Sequence, residues 1–353
     1  MVTSRFWAGR RVLVTGHTGF KGGWLSLVLR EMGAVVTGVS LEPDRPDGFF
    51  GQVRVGDLID SHIVDLLDRP RLDAVVRRAD PEIVFHLAAQ ALVLPGIEQP
   101  VETFTTNVVG TATLLAACSL ARPEVVLVVT SDKVYANDGA GRPFTEADAL
   151  GGGDPYSASK AAAEIVVASW RHTYATDDGP RLATARAGNV IGGGDVAFGR
   201  LLPDLLRSFR SGQPVVLRNP ESRRPWQFVL EPLAGYLAYA EQLAESSART
   251  MPRALNFGPG RDDAVTVAEV ADLAIAAWGS GTWQPADTTS SVEAPVLTLD
   301  ATLARSVLGW IPVLRVDEAV RWTVDWLRCE VGGGDLAGLA RAQLAAYGER
   351  MGW

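Results

Sequence analysis

Lysine is scarce in this chain. Of its 33 basic residues only three are lysines, Lys21, Lys133 and Lys160. Arginine and lysine replace one another on a solvated surface, but not where a compact ammonium or a titratable amine is needed. Three lysines in an arginine-rich chain therefore mark positions chosen for chemistry. Cysteine is scarcer still. Cys118 and Cys329 are too few for a disulfide framework, and Cys118, inside an apolar helical run, reads as a buried free thiol. No apolar run reaches the ~18 residues of a membrane span. The N-terminal MVTSRFWAGRR has no apolar core of the signal-peptide kind, so a cytoplasmic setting is expected. Net positive charge is missing as well: the formal charge is −8, which argues against a nucleic-acid backbone as partner. An anionic small substrate would then need a local arginine cluster. No metal site is expected.

Strands and helices alternate through the first half of the chain. Strands are predicted at Arg11–Thr15, Ala34–Ser40, Ser61–Asp65, Glu82–Ala89, Glu124–Thr130 and Arg181–Val190. Helices are predicted at Trp24–Met32, Arg69–Arg78, Val101–Leu120 and Tyr156–Tyr174, with Pro43–Gly51 a loop. Such alternation implies an α/β fold, a parallel sheet covered on both faces. The rhythm changes after Gly194. Short strand-like runs at Pro214–Arg218, Gln227–Leu230, Ala254–Phe257 and Val296–Leu299 fall among helices at Leu201–Arg210, Pro232–Ser246, Val267–Trp278 and Val316–Arg328. We expect a nucleotide-binding domain over residues 1–190. Residues 191–331 should form a smaller C-terminal α/β lobe over the sheet's carboxyl edge, with segments returning to the main sheet. A linker and a terminal helix make up 332–353.

Gly16-x-x-Gly19-x-x-Gly22 follows the first strand and opens a helix, the setting a dinucleotide site requires. The first glycine permits the tight turn, the second lets backbone approach a pyrophosphate, and the third lets helix and strand pack. The helix N-terminus adds unpaired N–H groups. At the end of the second strand an Asp or Glu would grip the adenosine ribose; here the residue is Ser40. NAD is the expected cofactor, and NADP stays open as the alternative. Asp65 and Leu66 are expected beside the adenine ring, with a helix cap the competing role for Asp65.

Tyr156-x-x-x-Lys160 puts both side chains on one helix face, one turn apart. A tyrosine hydroxyl titrates near ~10, so to act as a base it must be lowered by a nearby ammonium and a cationic cofactor ring. Thr130-Ser131-Asp132-Lys133 ends the fifth strand, where parallel sheets bind ligands. Ser131 can hold a substrate hydroxyl, and Asp132 can give or take a proton. Lys133 is a base only when neutral. A turn cap for Asp132 and a salt-bridge role for Lys133 are the plainer alternatives.

With these residues in view, the chain resembles an extended short-chain dehydrogenase/reductase, most closely the CDP-glucose 4,6-dehydratase family. The likeness runs from about Phe6 to Arg328. It is carried by GHTGFKG at 16–22, FHLAAQ at 85–90, TNVVGT at 106–111, TSDK at 130–133 and DPYSASK at 154–160. RAGNVIGGGD at 186–195, RNP at 218–220, RPWQ at 224–227, LEPL at 230–233 and NFGP at 256–259 continue it. The resemblance implies a Rossmann-type doubly wound sheet, usually paired as a homodimer through the Val101–Leu120 and Tyr156–Tyr174 helices. It implies a nicotinamide site built from Gly16, Thr18, Gly19, Phe20, Lys21, Gly22, Ser40, Asp65, Leu66, Leu87, Ala88, Ala89, Gln90, Asn107, Thr130, Tyr156 and Lys160. The nucleotide sugar, a CDP-hexose, would meet Gln90, Asn189, Arg200, Leu201, Arg218, Arg224 and Trp226. The implied reaction oxidises C4 with Tyr156 as base and Ser131 holding the 4-hydroxyl. Lys133, a position that is glutamate in dTDP-glucose dehydratases, removes the C5 proton, Asp132 protonates the leaving 6-hydroxyl, and hydride returns to C6.

Three departures bear on the substrate. Where the family usually has Pro-Leu-Val-Arg and then Ser-Tyr after AAQ, this chain has Ala91-Leu92-Val93-Leu94-Pro95-Gly96-Ile97. TSDK is followed by Val134-Tyr135-Ala136-Asn137 in place of Cys-Tyr-Asp-Asn, and RPWQ by Phe228-Val229 in place of His-Val. Most of these make the substrate side less polar. An epimerase, or a dehydratase for a modified nucleotide sugar, is therefore the second hypothesis. A non-catalytic nucleotide-binding protein is the third, opposed by four intact proton-moving residues.

Overall fold

The computed structural model describes residues 4–174, 179–245, 251–260, 265–286 and 297–353. Its centre is a seven-stranded sheet: β1 (Arg11–Thr15), β2 (Val35–Ser40), β3 (Asp60–Ile63), β4 (Ile83–His86), β5 (Val125–Val129), β6 (Arg181–Ala187) and β7 (Ala254–Phe257). The order is β7-β6-β5-β4-β1-β2-β3, and every pairing is parallel. The run Ala254–Phe257 thus returns from the second half of the chain to extend the main sheet, as expected of part of that region. The order reverses at β1, which lies between β2 and β4, and this opens a crevice at the carboxyl ends of the strands.

Both faces of the sheet are covered, which is why its strands read as unbroken apolar runs. In β5, Val125, Leu127 and Val129 point into one core with Trp24, Leu233 and Tyr236, while Val126 and Val128 point into the other with Leu72, Leu114 and Val167. The first core extends far beyond the sheet. Trp24 stacks on Phe49 at 4.4 Å and lies 6.0 Å from Trp326, and its Nε1 donates to Gly193 O at 3.0 Å. Each fully buried side chain of this size contributes about 1.5–3 kcal/mol. That packing explains one departure from expectation: the Pro43–Gly51 loop gives way to a short helix, Phe49–Val53, because Phe49 is drawn onto Trp24.

The helix expected over Val101–Leu120 is interrupted. Pro100–Phe104 leads into a π turn, Thr105–Val109, before Gly110–Cys118 resumes the α form. Beyond β6, three two-stranded ribbons roof the crevice. They pair Val190–Ile191 with Gln227–Phe228, Arg223–Arg224 with Val265–Thr266, and Val215–Leu217 with Trp283–Pro285. Of the run expected at Val296–Leu299, Leu299 makes an isolated bridge with Phe144; Val296, like Ser246, lies outside the described residues. The C-terminal helix Leu336–Met351 packs into the first core through Ala340, Leu344 and Tyr347. Among the described residues no helix is long and apolar enough to cross a membrane.

Candidate active site

The crevice and its roof enclose a cleft of about 800 Å³. The glycine turn is its floor. Gly16 has φ +77°, and a Cβ there would stand 2.6 Å from the Ala88 nitrogen; one on Gly22 would stand 2.0 Å from the Gly16 oxygen. Gly19 precedes the Phe20–Glu31 helix and supplies no side-chain cap, leaving first-turn N–H groups for an anion. This backbone cradle fits a dinucleotide pyrophosphate. Thr18, Phe20 and Lys21 line it. Ser40 lines the next stretch, its hydroxyl 2.7 Å from that of Thr18, which also donates to Leu41 O at 3.0 Å. Asp65 and Leu66 form the wall beyond. The Asp65 carboxylate accepts the Leu67 N–H at 2.9 Å, so it is a turn cap and a cleft residue at once.

Leu87, Ala88, Ala89 and Gln90 continue the lining after β4. Asn107, expected at the cofactor, does not line the cleft. It is buried behind Gln90, accepting that residue's N–H at 2.8 Å and donating to its carbonyl at 3.0 Å and to Ser159 Oγ at 2.8 Å. It sits in the π turn, and such turns recur at functional sites. The TNVVGT motif signalled the residue but not its distance from the cleft.

At the end of β5, Thr130, Ser131, Asp132 and Lys133 all line the cleft, opposite Tyr156 and Lys160. Ser131 Oγ donates to Asp132 Oδ1 at 3.0 Å and accepts the Lys133 N–H at 3.2 Å. Asp132 Oδ2 is buried without a hydrogen-bond partner. Burial raises the Asp132 pKa, against the opposing pull of Lys133, the Ser131 hydroxyl, Arg224 and Lys21. This carboxyl is biased towards its protonated form, ready to donate.

Tyr156 departs from expectation. Burial pushes its phenol up to about 12, outweighing the contact with Ser131 that favours the phenolate. The reason is visible in Lys160, whose Nζ donates to the Val129 carbonyl at 2.9 Å and makes no such bond to Tyr156. Burial brings Lys160 down to about 8, with Glu164 opposing. Lys21 also falls to about 8, through burial and then the charge of Arg200. All three lysines of the chain stand on this one cleft.

Asn189, Arg200, Leu201, Arg218, Arg224 and Trp226 complete the lining. Arg200 pairs with Asp195 at 3.0 Å and Arg218 donates to Gly199 O at 3.2 Å. Arg224 is buried and within electrostatic reach of Asp132, nearer the proton-moving groups than a phosphate-gripping role suggests. Leu94 and Pro95 do line the cleft, as the departures imply. Phe228 does not: it is fully buried, edge-on to Trp24 at 6.1 Å and to Trp322 at 5.3 Å. It belongs to the core, held between the rings of Trp24 and Trp322. Sequence reading missed Gly188, where a Cβ would lie 3.0 Å from Asp132 Oδ2 and 2.4 Å from Pro225 Cγ. No group of three or more His, Cys, Asp or Glu among the described residues is placed to hold a metal.

The model of the NAD dependent epimerase/dehydratase family matches residues 12–258. The chain belongs to that family. Within it, the chain is 43% identical over 354 residues to the CDP-glucose 4,6-dehydratase of Salmonella typhimurium, covering 98% of each sequence. It is 30% identical over 237 residues to a dTDP-glucose 4,6-dehydratase of Neisseria gonorrhoeae, spanning 62% of this chain and 66% of that one. Its fold is similar to that of a UDP-glucose-4-epimerase from Stenotrophomonas maltophila, solved with bound NAD and formylated UDP-arabinopyranose. The TM-score is 0.81 over 92% of this chain and 99% of that one; at 22% identity this is a likeness of fold alone.

Proposed function

We propose that this family member is a nucleotide-sugar 4,6-dehydratase that uses bound NAD and takes CDP-glucose as substrate. The observation that carries the reading is the convergence of Asp132 and Lys133 with Tyr156 and Lys160 on the cleft floored by the glycine turn; the near-full-length similarity to a CDP-glucose 4,6-dehydratase supports it. Gly16–Gly22 holds the pyrophosphate, Asp65 and Leu66 flank the adenine, and Lys160 holds the nicotinamide ribose. NAD, when bound, would supply the hydride acceptor for oxidation at the sugar C4 and the hydride donor for reduction at C6.

The chain's own residues do the rest. Tyr156 takes the 4-hydroxyl proton, with Ser131 orienting that hydroxyl. The resulting ketone acidifies the C5 proton, which Lys133 removes. Asp132, whose pKa burial raises, gives its proton to the departing 6-hydroxyl. As hydride returns to C6, Lys133 gives the proton it took back to C5, and the product is a 4-keto-6-deoxy sugar with no net redox change. Arg218, Arg200 and Asn189 hold the diphosphate end, since arginine forks suit phosphate oxygens.

Purified protein incubated with CDP-glucose should yield a product lighter by one water, and deuterium placed at C4 should emerge at C6. Protein that carries NAD but leaves CDP-glucose intact would sink the reading. Leu94 and Pro95 on the cleft wall favour a second reading, a less polar, modified sugar; a panel of nucleotide sugars decides between them by kcat/KM. The reading also makes the enzyme a cytoplasmic homodimer. Val101, Phe104 and Val109 are exposed apolar residues on the helix before β5, and Ile165 is another on the Pro155–Tyr174 helix. Light scattering should report twice the 37.7 kDa of one chain.

A further inference from the structure

Behind the cleft, the Pro155–Tyr174 helix carries a buried ion pair that none of the steps above uses. Arg186 forks onto Glu164, Nε to Oε1 at 2.8 Å and Nη2 to Oε2 at 2.9 Å. The same carboxylate accepts the hydroxyls of Thr130 at 2.6 Å and Thr184 at 2.7 Å. Arg186 Nη1 donates to Tyr135 OH at 2.9 Å, and that hydroxyl donates to Asn256 Oδ1 at 2.6 Å. Replacing such a buried pair by apolar residues commonly leaves stability unchanged or improved, so its worth lies elsewhere.

Glu164 stands one helical turn beyond Lys160, on the same face. The groups around the Lys160 amine come from several elements. β5 offers the Val129 carbonyl at 2.9 Å. The glycine turn offers Lys21, a like charge. β4 offers His86, which burial drives down to about 3 and which therefore stays neutral. Its ring nitrogens are held by the hydroxyls of Thr15 at 2.7 Å and Thr111 at 2.9 Å. Tyr156 shares the helix. Beside the neutral Val129 carbonyl, Glu164 is the charged side chain that favours the charged amine against burial. Its bond to Thr130 also anchors the residue just before Ser131 and Asp132.

We propose that Glu164 is a positioning residue that keeps Lys160 protonated in the working site, and that Arg186, forked onto it, sets how much of that negative charge reaches the amine. The proposal rests on the reading of Lys160 as the group that holds the nicotinamide ribose and supports Tyr156. It predicts opposite consequences for the two halves of the pair. Removing the carboxylate weakens Lys160 as a base. Removing the guanidinium frees the carboxylate to act on Lys160 more strongly.

The test is the pH profile of CDP-glucose dehydration by the NAD-loaded enzyme, whose alkaline limb follows loss of the Lys160 proton. E164Q should move that limb to lower pH by about one unit, a tenfold change in the protonation ratio. R186M should move it to higher pH. KM should stay within about twofold in both, since neither residue lines the main cleft and kcat alone carries the effect. Glu164 and Arg186 also line a separate cavity of about 590 Å³, so water can take up hydrogen bonds lost in a variant. If a single variant fails to fold, E164Q/R186M leaves no unpaired charge, and its limb should lie on the acid side of wild type. A uniform fall in kcat with no movement of the limb, or movement in the same direction for E164Q and R186M, overturns the proposal. So does a double variant with the wild-type limb. K160M separates the two levels: if it keeps full turnover, the reading of the site fails and the proposal with it. If it is inactive while the E164Q limb is unmoved, the proposal alone fails.

Discussion

At the scale of single residues, Gly188 shows how closely the proton-moving groups are hemmed in. A methyl group there meets Pro225 Cγ at 2.4 Å and Asp132 Oδ2 at 3.0 Å. G188A should displace Asp132 or the Arg224–Gln227 segment by a few tenths of an ångström or more. Misplacement on that scale costs roughly 10–100-fold in kcat; steady-state kinetics would show it, with the far-UV circular dichroism unchanged. A G188A enzyme with wild-type kcat would remove Asp132 placement from the mechanism. The rare polar residues were legible because nothing in an apolar strand end requires Ser, Asp and Lys in succession, and because lysine is used so sparingly. Phe228 and Asn107 were not. Whether a motif residue faces a cleft, a core or the back of another residue depends on contacts made with segments far along the chain.

At the scale of elements, local signals worked where the determinants are local. The Val267–Trp278 helix is delimited by a capping box in which the Thr266 hydroxyl accepts the Glu269 N–H at 3.1 Å and Glu269 accepts the Thr266 N–H at 2.6 Å. Gly279 closes it at φ +96°. Thr266→Ala should cost about 1 kcal/mol, read as a lower urea midpoint at unchanged m-value. The π turn at Thr105–Val109 left no such trace. Its Thr-Thr-Asn-Val-Val composition suits a regular helix poorly but specifies no alternative. The extra residue is held by what Asn107 grips at Gln90 and Ser159. The Phe49–Val53 helix likewise owes its place to Trp24, across a loop rich in Pro and Gly that by itself reads as unstructured.

At the scale of the whole molecule, Glu231 joins three regions. Fully buried at the start of the Leu230–Glu245 helix, it accepts the N–H groups of Val313 at 2.9 Å and Leu314 at 2.7 Å and the hydroxyl of Tyr347 at 2.8 Å. Burial raises its pKa from 4.5 to about 7. A carboxyl raised in the folded state contributes stability that is whole below its unfolded value and is lost as pH rises through the folded one. Between about pH 4.5 and 7.5 the wild type should therefore lose on the order of 3 kcal/mol relative to Glu231→Gln, whose amide does not titrate. Paired urea melts across that range measure it; parallel pH dependences would show that Glu231 does not titrate on folding. Tyr347→Phe should cost about 1 kcal/mol by loss of one bond. It tests whether the C-terminal helix is tied to the core, a docking that the three glycines before it did not foretell.

The sequence by itself determined the sheet of alternating strands and helices, the glycine turn, and the identity of the residues gathered at the strand ends. These depend on periodicity, backbone freedom and residue chemistry, all of which are written within a few positions of one another. Only the tertiary structure decided the charge states and the company those residues keep. Burial, not sequence neighbours, raises Tyr156 and Asp132 and lowers Lys160. Glu164 meets Arg186, and Gly188 meets Asp132, because β5, β6 and the helix between them lie side by side. Desolvation and Coulomb interaction depend on distance in space and on what displaces water, and neither is a property of position along the chain.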